Sequence, residues 1–88
     1  MTEMQRLAVM LISAKIPFQV SECYGAPRIC YPDVEEVECD VVCHEISAGG
    51  KYGLLEIAIS NDEDEVLIEG YLSAENAFEY ICDLREGV

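Results

Sequence analysis

One short segment of the chain brings cysteine and histidine close enough together to suggest metal chemistry. The segment is Cys39-Asp40-Val41-Val42-Cys43-His44. Structural zinc takes four thiolate or imidazole ligands in a tetrahedron, at about 2.0–2.3 Å. In an extended strand Cys39 and Cys43 would lie about 13 Å apart, at roughly 3.3 Å per residue, which is too far to share one ion. The segment can therefore bind zinc only where it departs from a regular strand.

A fourth zinc ligand has to come from elsewhere in the chain. Cys23 stands beside a predicted turn, where the backbone can bend, whereas Cys30 lies inside a predicted strand. The sequence therefore predicts a structural zinc site, which would staple a small domain by coupling metal binding to folding. The alternative is that the cysteines are ordinary core residues, because free cysteine is among the most buried residue types. The predicted ligands are Cys23, Cys39, Cys43 and His44, with Cys30 able to replace any one of them.

The same residues do not make a convincing catalytic pair. Cys43 and His44 are adjacent, and neighbouring residues rarely align a thiol with an imidazole as nucleophile and base. Carboxylates nearby would also raise the pKa of the thiol. Gly49-Gly50-Lys51 lacks the strand, the helix and the following Ser or Thr of a phosphate-binding loop. We therefore expect a protein that is not an enzyme; a low-pKa thiol at Cys43 would reverse that expectation.

Acidic residues dominate the charge of the chain. Eighteen Asp and Glu residues stand against five Lys and Arg residues, for a net charge of −13. Direct contact with nucleic acid or an anionic membrane is disfavoured, because phosphate contacts need basic side chains. A basic protein surface is the natural complement. Two segments hold the acids predicted to bind it: Asp33, Glu35, Glu36, Glu38 and Asp40 in the first, and Asp62, Glu63, Asp64 and Glu65 in the second.

These acidic segments have two interpretations. As solvated loops they would only keep a small protein soluble. As a binding surface they would imitate the phosphates of nucleic acid and occupy a basic groove on a nucleic-acid-binding protein, with fast association that weakens as salt is added.

The elements that position these residues follow from hydrophobic periodicity. Residues 3–15 have the spacing of an amphipathic helix with a wide apolar face that includes Ile12, and Ser73 is a good N-cap for a second helix that Gly87 closes. The sequence predicts one domain over residues 1–88, of class α+β, in which both helices pack on one face of an antiparallel sheet of four or five strands. No targeting segment is visible, so we expect the cytoplasm of a host cell. The predicted strands are residues 18–23, 28–31, 41–46, 54–60 and 66–72.

Several short motifs resemble those of small phage and mobile-element proteins. They are Ile16-Pro17-Phe18, Tyr24-Gly25-Ala26-Pro27, the Cys39–His44 segment, Gly53-Leu54-Leu55-Glu56-Ile57 and Gly70-Tyr71-Leu72-Ser73-Ala74-Glu75. Some such proteins are anti-CRISPR inhibitors, which bind the basic channel or lobes of an RNA-guided type II nuclease. The resemblance implies an inhibitor of DNA binding or loading. A small structural or regulatory phage protein that homo-oligomerises is the alternative.

Overall fold

The computed structural model describes residues 1–60 and 65–87 and places five antiparallel strands between two helices. The strands lie in the sheet in the order in which they occur in the chain. This arrangement confirms the predicted α+β class. Neither helix, within the described part of the chain, is long and apolar enough to cross a membrane. The elements are α1 (Glu3–Ser13), β1 (Gln19–Cys23), β2 (Ala26–Tyr31), β3 (Cys39–Val42), β4 (Leu55–Ser60), β5 (Val66–Leu72) and α2 (Ala74–Arg85).

The core lies between the two helices and one face of the sheet. Ile29, Val41 and Ile57 are aligned side by side across β2, β3 and β4, and each is at most 1% exposed. Because side chains alternate along a strand, the residues two positions away share this face. Both helices contribute to the same cluster, α1 with Met4, Leu7 and Leu11 and α2 with Ala74, Ala77 and Ile81.

Both helices begin with a capping box. Thr2 caps α1 together with Gln5, and Ser73 caps α2 together with Asn76, as expected for Ser73. Helix α1 ends at Ser13, two residues earlier than predicted. The cause is a Schellman motif, in which Lys15 takes a left-handed φ of 59° and the Ile16 amide donates to the Leu11 carbonyl.

Three details of the prediction were wrong. Ile12 is 65% exposed, so the apolar face of α1 is narrower than expected. Strand β3 stops at Val42 instead of continuing to residue 46, because the Ser47 hydroxyl accepts from the His44 amide and donates to the His44 carbonyl, which closes a turn. Asp40 lies within β3 and not in a loop.

An ion pair explains why a strand of the sheet can hold Asp40. The carboxylate accepts a hydrogen bond from Arg28 Nε at 2.8 Å, and Arg28 lies on the neighbouring strand β2. Both side chains point to the face of the sheet opposite the helices, and both are partly exposed. Asp40 was predicted to bind a partner, but its charge is already matched by this arginine.

Glu3 joins the beginnings of the two helices. Its carboxylate accepts from the backbone amide of Ala74 at 3.0 Å and from the guanidinium of Arg6, which also contacts Glu75. The hydrogen bond from Ala74, followed by that from Arg6, holds the pKa of Glu3 below its ordinary value. The ionised form of Glu3 therefore stabilises the folded chain.

Replacing Glu3 by glutamine should make the stability of the protein less dependent on pH in the acidic range. The pKa of Glu3 is lower in the folded protein than in the unfolded chain. Its contribution to the free energy of unfolding is therefore complete above the unfolded-state pKa and is lost as the pH falls through the folded-state pKa. We expect Glu3→Gln to lower the melting temperature at pH 7, and the difference from wild type to shrink below about pH 4. Glu79→Gln, an exposed change of equal charge on α2, is the control. A constant difference between wild type and Glu3→Gln at every pH would contradict the assignment.

Candidate functional site

The first acidic segment is an ordered loop between β2 and β3. The Asp33 carboxylate accepts hydrogen bonds from the amides of Glu35 and Glu36 at 2.9 and 2.8 Å. The Val34 amide donates to the Gln19 side chain at 2.9 Å, which ties the loop to the start of β1. Asp33 therefore shapes the loop, while Glu35 and Glu36 are exposed to solvent.

The loop also meets the place where β4 ends and β5 begins. The Glu38 amide donates to the Tyr31 carbonyl at 2.8 Å, and the Glu38 carbonyl accepts from the Ser60 amide at 2.9 Å. Ser60 pairs with Val66, and the exposed Glu65 immediately precedes Val66 in the chain. Glu35, Glu36, Glu38 and Glu65 thus lie at one end of the sheet, here called the acidic end. Three further predicted acids, Asp62, Glu63 and Asp64, lie outside the described residues.

An exposed apolar strip adjoins the acidic end. Strand β5 is at the edge of the sheet, and three consecutive residues of it are largely uncovered. Val66 is 56% exposed, Leu67 49% and Ile68 60%. An edge strand offers unpaired backbone groups, and natural proteins usually protect such edges with charge or with a covering element. Here the strip stands next to carboxylates and is suited to contact with another protein.

Some of the few basic residues of the chain form ion pairs within the protein. Arg6 contacts Glu3 and Glu75, and Arg28 contacts Asp40. These contacts lie on the helices and in the middle of the sheet, away from the loop that carries Glu35 and Glu36. Glu35, Glu36 and Glu38 take no part in these ion pairs.

The structure separates the cysteines that were predicted to bind zinc. Cys39 opens β3 and is 1% exposed within the core, whereas Cys43 follows the other end of that strand. Cys23 pairs with Ala26 at the end of the first hairpin, on the face opposite the core. The stretch from Cys39 to Val42 is a regular strand, which is the geometry in which Cys39 and Cys43 cannot share an ion.

Burial also makes some of these thiols poor ligands and poor nucleophiles. Burial, with a smaller effect from the Asp40 and Glu38 carboxylates, raises the pKa of Cys39 to about 12. Burial likewise raises the pKa of Cys30 and of Cys82. Among residues 1–60 and 65–87, no group of three or more His, Cys, Asp or Glu side chains could hold a metal ion. Zinc binding stays a prediction.

The opposite end of the sheet carries a feature that the sequence analysis missed. Several large side chains are exposed around two shallow clefts that share Glu45 and Ile46. Tyrosine and isoleucine are common in sequences and common in cores, so their types alone gave no signal of exposure. This tyrosine end consists of Tyr24, His44, Ile46, Tyr52 and Tyr71; Tyr24 is 79% exposed, Ile46 71%, Tyr52 75% and Tyr71 62%.

Two of these tyrosines have a backbone conformation that tyrosine rarely adopts. Tyr24 has a φ of 50° and Tyr71 a φ of 58°, both in the left-handed region. Tyr24 and Gly25 form the two-residue turn between β1 and β2, and both have positive φ, the pattern of a type I′ turn. That turn favours Asn-Gly, and a bulky residue in its first position costs of order 1 kcal/mol. Strain of this kind clusters at functional sites.

Comparison with known protein families, with curated proteins and with solved structures gave no match to this chain.

Thiol labelling tests the positions of the cysteines and the zinc prediction together. Native protein treated with iodoacetamide at pH 8 should be modified at Cys23 and Cys43, which are partly exposed, and not at the buried Cys30 and Cys39. Cys82 is also partly exposed, but burial raises its pKa, so it should react more slowly. Peptide mass mapping identifies the modified residues. One equivalent of zinc at the predicted site would protect both Cys23 and Cys43, or one of them if Cys30 replaces the other. Unchanged labelling, together with no stoichiometric zinc in protein purified without chelator, would contradict that site.

Tyr24→Asn should stabilise the protein. Asparagine suits the left-handed first position of the turn, so we expect the free energy of unfolding in urea to rise by about 0.5 kcal/mol after loss of the tyrosine ring contact. Tyr52→Asn is the matched control, since Tyr52 is equally exposed but has no positive φ, and it should give no increase. A loss of stability in Tyr24→Asn would show that the ring outweighs the strained backbone.

Proposed function

We propose that this protein acts by binding, and that its acidic end docks on a basic, nucleic-acid-binding surface of another protein. The partner we infer is an RNA-guided CRISPR nuclease, whose DNA binding or loading the complex would block. The observation that carries the proposal is the hydrogen bond between Ser60 and Glu38, because it brings the acidic loop beside the start of β5.

The order of the acidic loop supports binding over mere solubility. Charges that serve only solubility need no fixed positions, whereas the backbone around Glu35, Glu36 and Glu38 is held by five hydrogen bonds to Asp33, Gln19, Tyr31 and Ser60. A loop whose backbone is already ordered loses less conformational entropy when it binds. The ordered backbone also limits how far apart the carboxylates can lie, which helps them to match the basic groups of a partner.

The neighbouring apolar strip would add affinity that charged contacts alone do not provide. Charged rims steer a partner and fix its orientation, while buried apolar contacts contribute more of the affinity. Val66, Leu67 and Ile68 stand directly after Glu65. Val66 and Ile68 lie on one face of β5 and Leu67 on the other, so a basic strand paired along this edge would contact both faces and place its cations near the acidic end.

The choice of a nuclease as partner rests on the resemblance to phage inhibitors. A phage protein that carries a net charge of −13 and binds by its acidic end would compete with DNA or guide RNA for a basic channel. Such competition needs no catalytic group on the inhibitor.

The exposed strip on β5 also favours a second candidate, in which two copies of the chain pair edge to edge. Like charges would oppose that pairing, because Glu65 and Glu69 flank the strip on both copies. Salt would therefore strengthen self-association, whereas it would weaken a complex with a basic partner. Sedimentation at low and high salt separates the two.

Charge-neutralising variants test the acidic end. We expect wild-type protein to bind at least one nuclease of a purified type II panel in 50 mM salt, to compete with DNA or guide RNA, and to bind more weakly in 500 mM salt. The triple variant Glu35→Gln, Glu36→Gln and Glu38→Gln should bind about tenfold more weakly, because it loses three charge pairs that are each partly screened by solvent. The dissociation constants are measured by biolayer interferometry.

The matched control removes the same three charges elsewhere. Glu79 and Asp83 lie exposed on α2, and Glu86 lies exposed directly after it. Glu79→Gln, Asp83→Asn and Glu86→Gln combined should change the dissociation constant by no more than about twofold. Equal weakening by both sets would mean that overall charge, and not the acidic end, is responsible. No binding to any nuclease at low salt would remove the proposed partner.

A further inference from the structure

The tyrosine end contains an aromatic corner. The rings of Tyr24 and His44 lie with centroids 4.9 Å apart and planes inclined at 55°. They line one side of a shallow cleft completed by Ala26, Glu45 and Ile46. Two aromatic residues and one acidic residue therefore line the same cleft.

The loop after β3 holds the His44 ring in place. The Ile46 amide donates to His44 Nδ1 at 3.3 Å, so the neutral ring carries its proton on Nε2. The Ser47 hydroxyl bonds both the amide and the carbonyl of His44 at 2.9 Å. On the other side of the corner, Tyr24 is held by the tight turn with Gly25. The His44 ring and the backbone that carries the Tyr24 ring are thus ordered without a ligand.

A planar cation is the ligand that fits this corner. Guanidinium groups stack on tyrosine rings and bond to carboxylates through a flat fork of N–H groups. The residues that line this cleft include Glu45 and neither lysine nor arginine, and the chain as a whole is strongly negative. Lys51 lines the second cleft.

We propose that the corner formed by Tyr24 and His44, with Glu45, binds an arginine side chain of a partner protein. The proposal rests on the proposed function in one respect, since a basic partner is what supplies an arginine. It gives the strained turn a role: asparagine would suit the turn better but could not stack on a guanidinium.

The corner and the acidic end are far enough apart to be tested separately. Both β3 and β4 run from one to the other, and the six residues of β4 span about 20 Å. A capped tripeptide is shorter than this distance and cannot reach both. Ac-Gly-Arg-Gly-NH2 is therefore the probe, with its lysine and citrulline counterparts as controls; citrulline keeps the shape of arginine without its charge.

Two-dimensional NMR with this probe locates the binding. We expect shifts concentrated on the Tyr24 and His44 rings and on the Ile46 amide, stronger for arginine than for lysine, and none there for citrulline. Tyr24→Leu should weaken binding of the arginine peptide about fivefold, whereas Tyr24→Phe, which keeps the ring, should stay within about twofold. The dispersed spectrum of each variant confirms that it is folded.

Three results would overturn the corner as an arginine site. They are no shift with the arginine peptide, shifts confined to the acidic end, and equal weakening by Tyr24→Leu and Tyr24→Phe. Failure of the proposed function looks different. In that case the arginine peptide still binds the corner, while the Glu35, Glu36 and Glu38 triple variant binds its nuclease as wild type does, or no nuclease binds at all.

Discussion

The alignment of Ile29, Val41 and Ile57 across three neighbouring strands is the contact on which the rest of the molecule depends. It sets the antiparallel register, and the register decides which residues lie beneath the helices. A shift of one residue would turn these side chains away from α1 and α2 and bring Cys30, Asp40 and Ala58 into the core. With the register fixed, the turns between strands fall at two opposite ends. One end carries carboxylates and the other carries aromatic rings.

Repulsion among the acids is a cost that this fold has to offset in addition to the conformational entropy lost on folding. A chain of 88 residues with a net charge of −13 would expand if its negative charges met no opposing groups. The few arginines are therefore placed where the fold needs them. Arg6 lies where the two helices begin, beside Glu3 and Glu75, and Arg28 matches the one acid held in the middle strand. Neither of these ion pairs involves Glu35, Glu36 or Glu38 of the acidic loop.

Much of the fold could be predicted because it follows from local periodicity. The alternation of Leu55, Ile57 and Ile59 gave β4, and Ser73 gave the start of α2. What the sequence did not reveal depends on contacts between distant residues. Asp40 fits a strand only because it forms an ion pair with Arg28, which is twelve residues away in the sequence and lies on the neighbouring strand. Strand β3 ends early only because the Ser47 hydroxyl forms a hydrogen bond with the backbone of His44.

The candidate sites were predicted less completely. The acids of the first loop were identified by composition, but their meeting with the start of β5 needs the bond between Ser60 and Glu38. The tyrosine end was missed because exposure is a property of the fold and not of the residue type. A turn of Tyr24 and Gly25 could have raised the question, since the first position of such a tight turn seldom holds an aromatic residue.

The rigid sheet between the two ends has a consequence for affinity. Each end offers only a small contact area, and either contact alone would dissociate quickly. A partner that presents a basic groove and an arginine about 20 Å apart would engage both, and once one contact forms, the second becomes intramolecular, at an effective concentration of roughly millimolar. The length of β4 would then fix the distance between the two contacts. Selectivity among equally basic proteins would come from the distance between their binding groups, which net charge cannot encode.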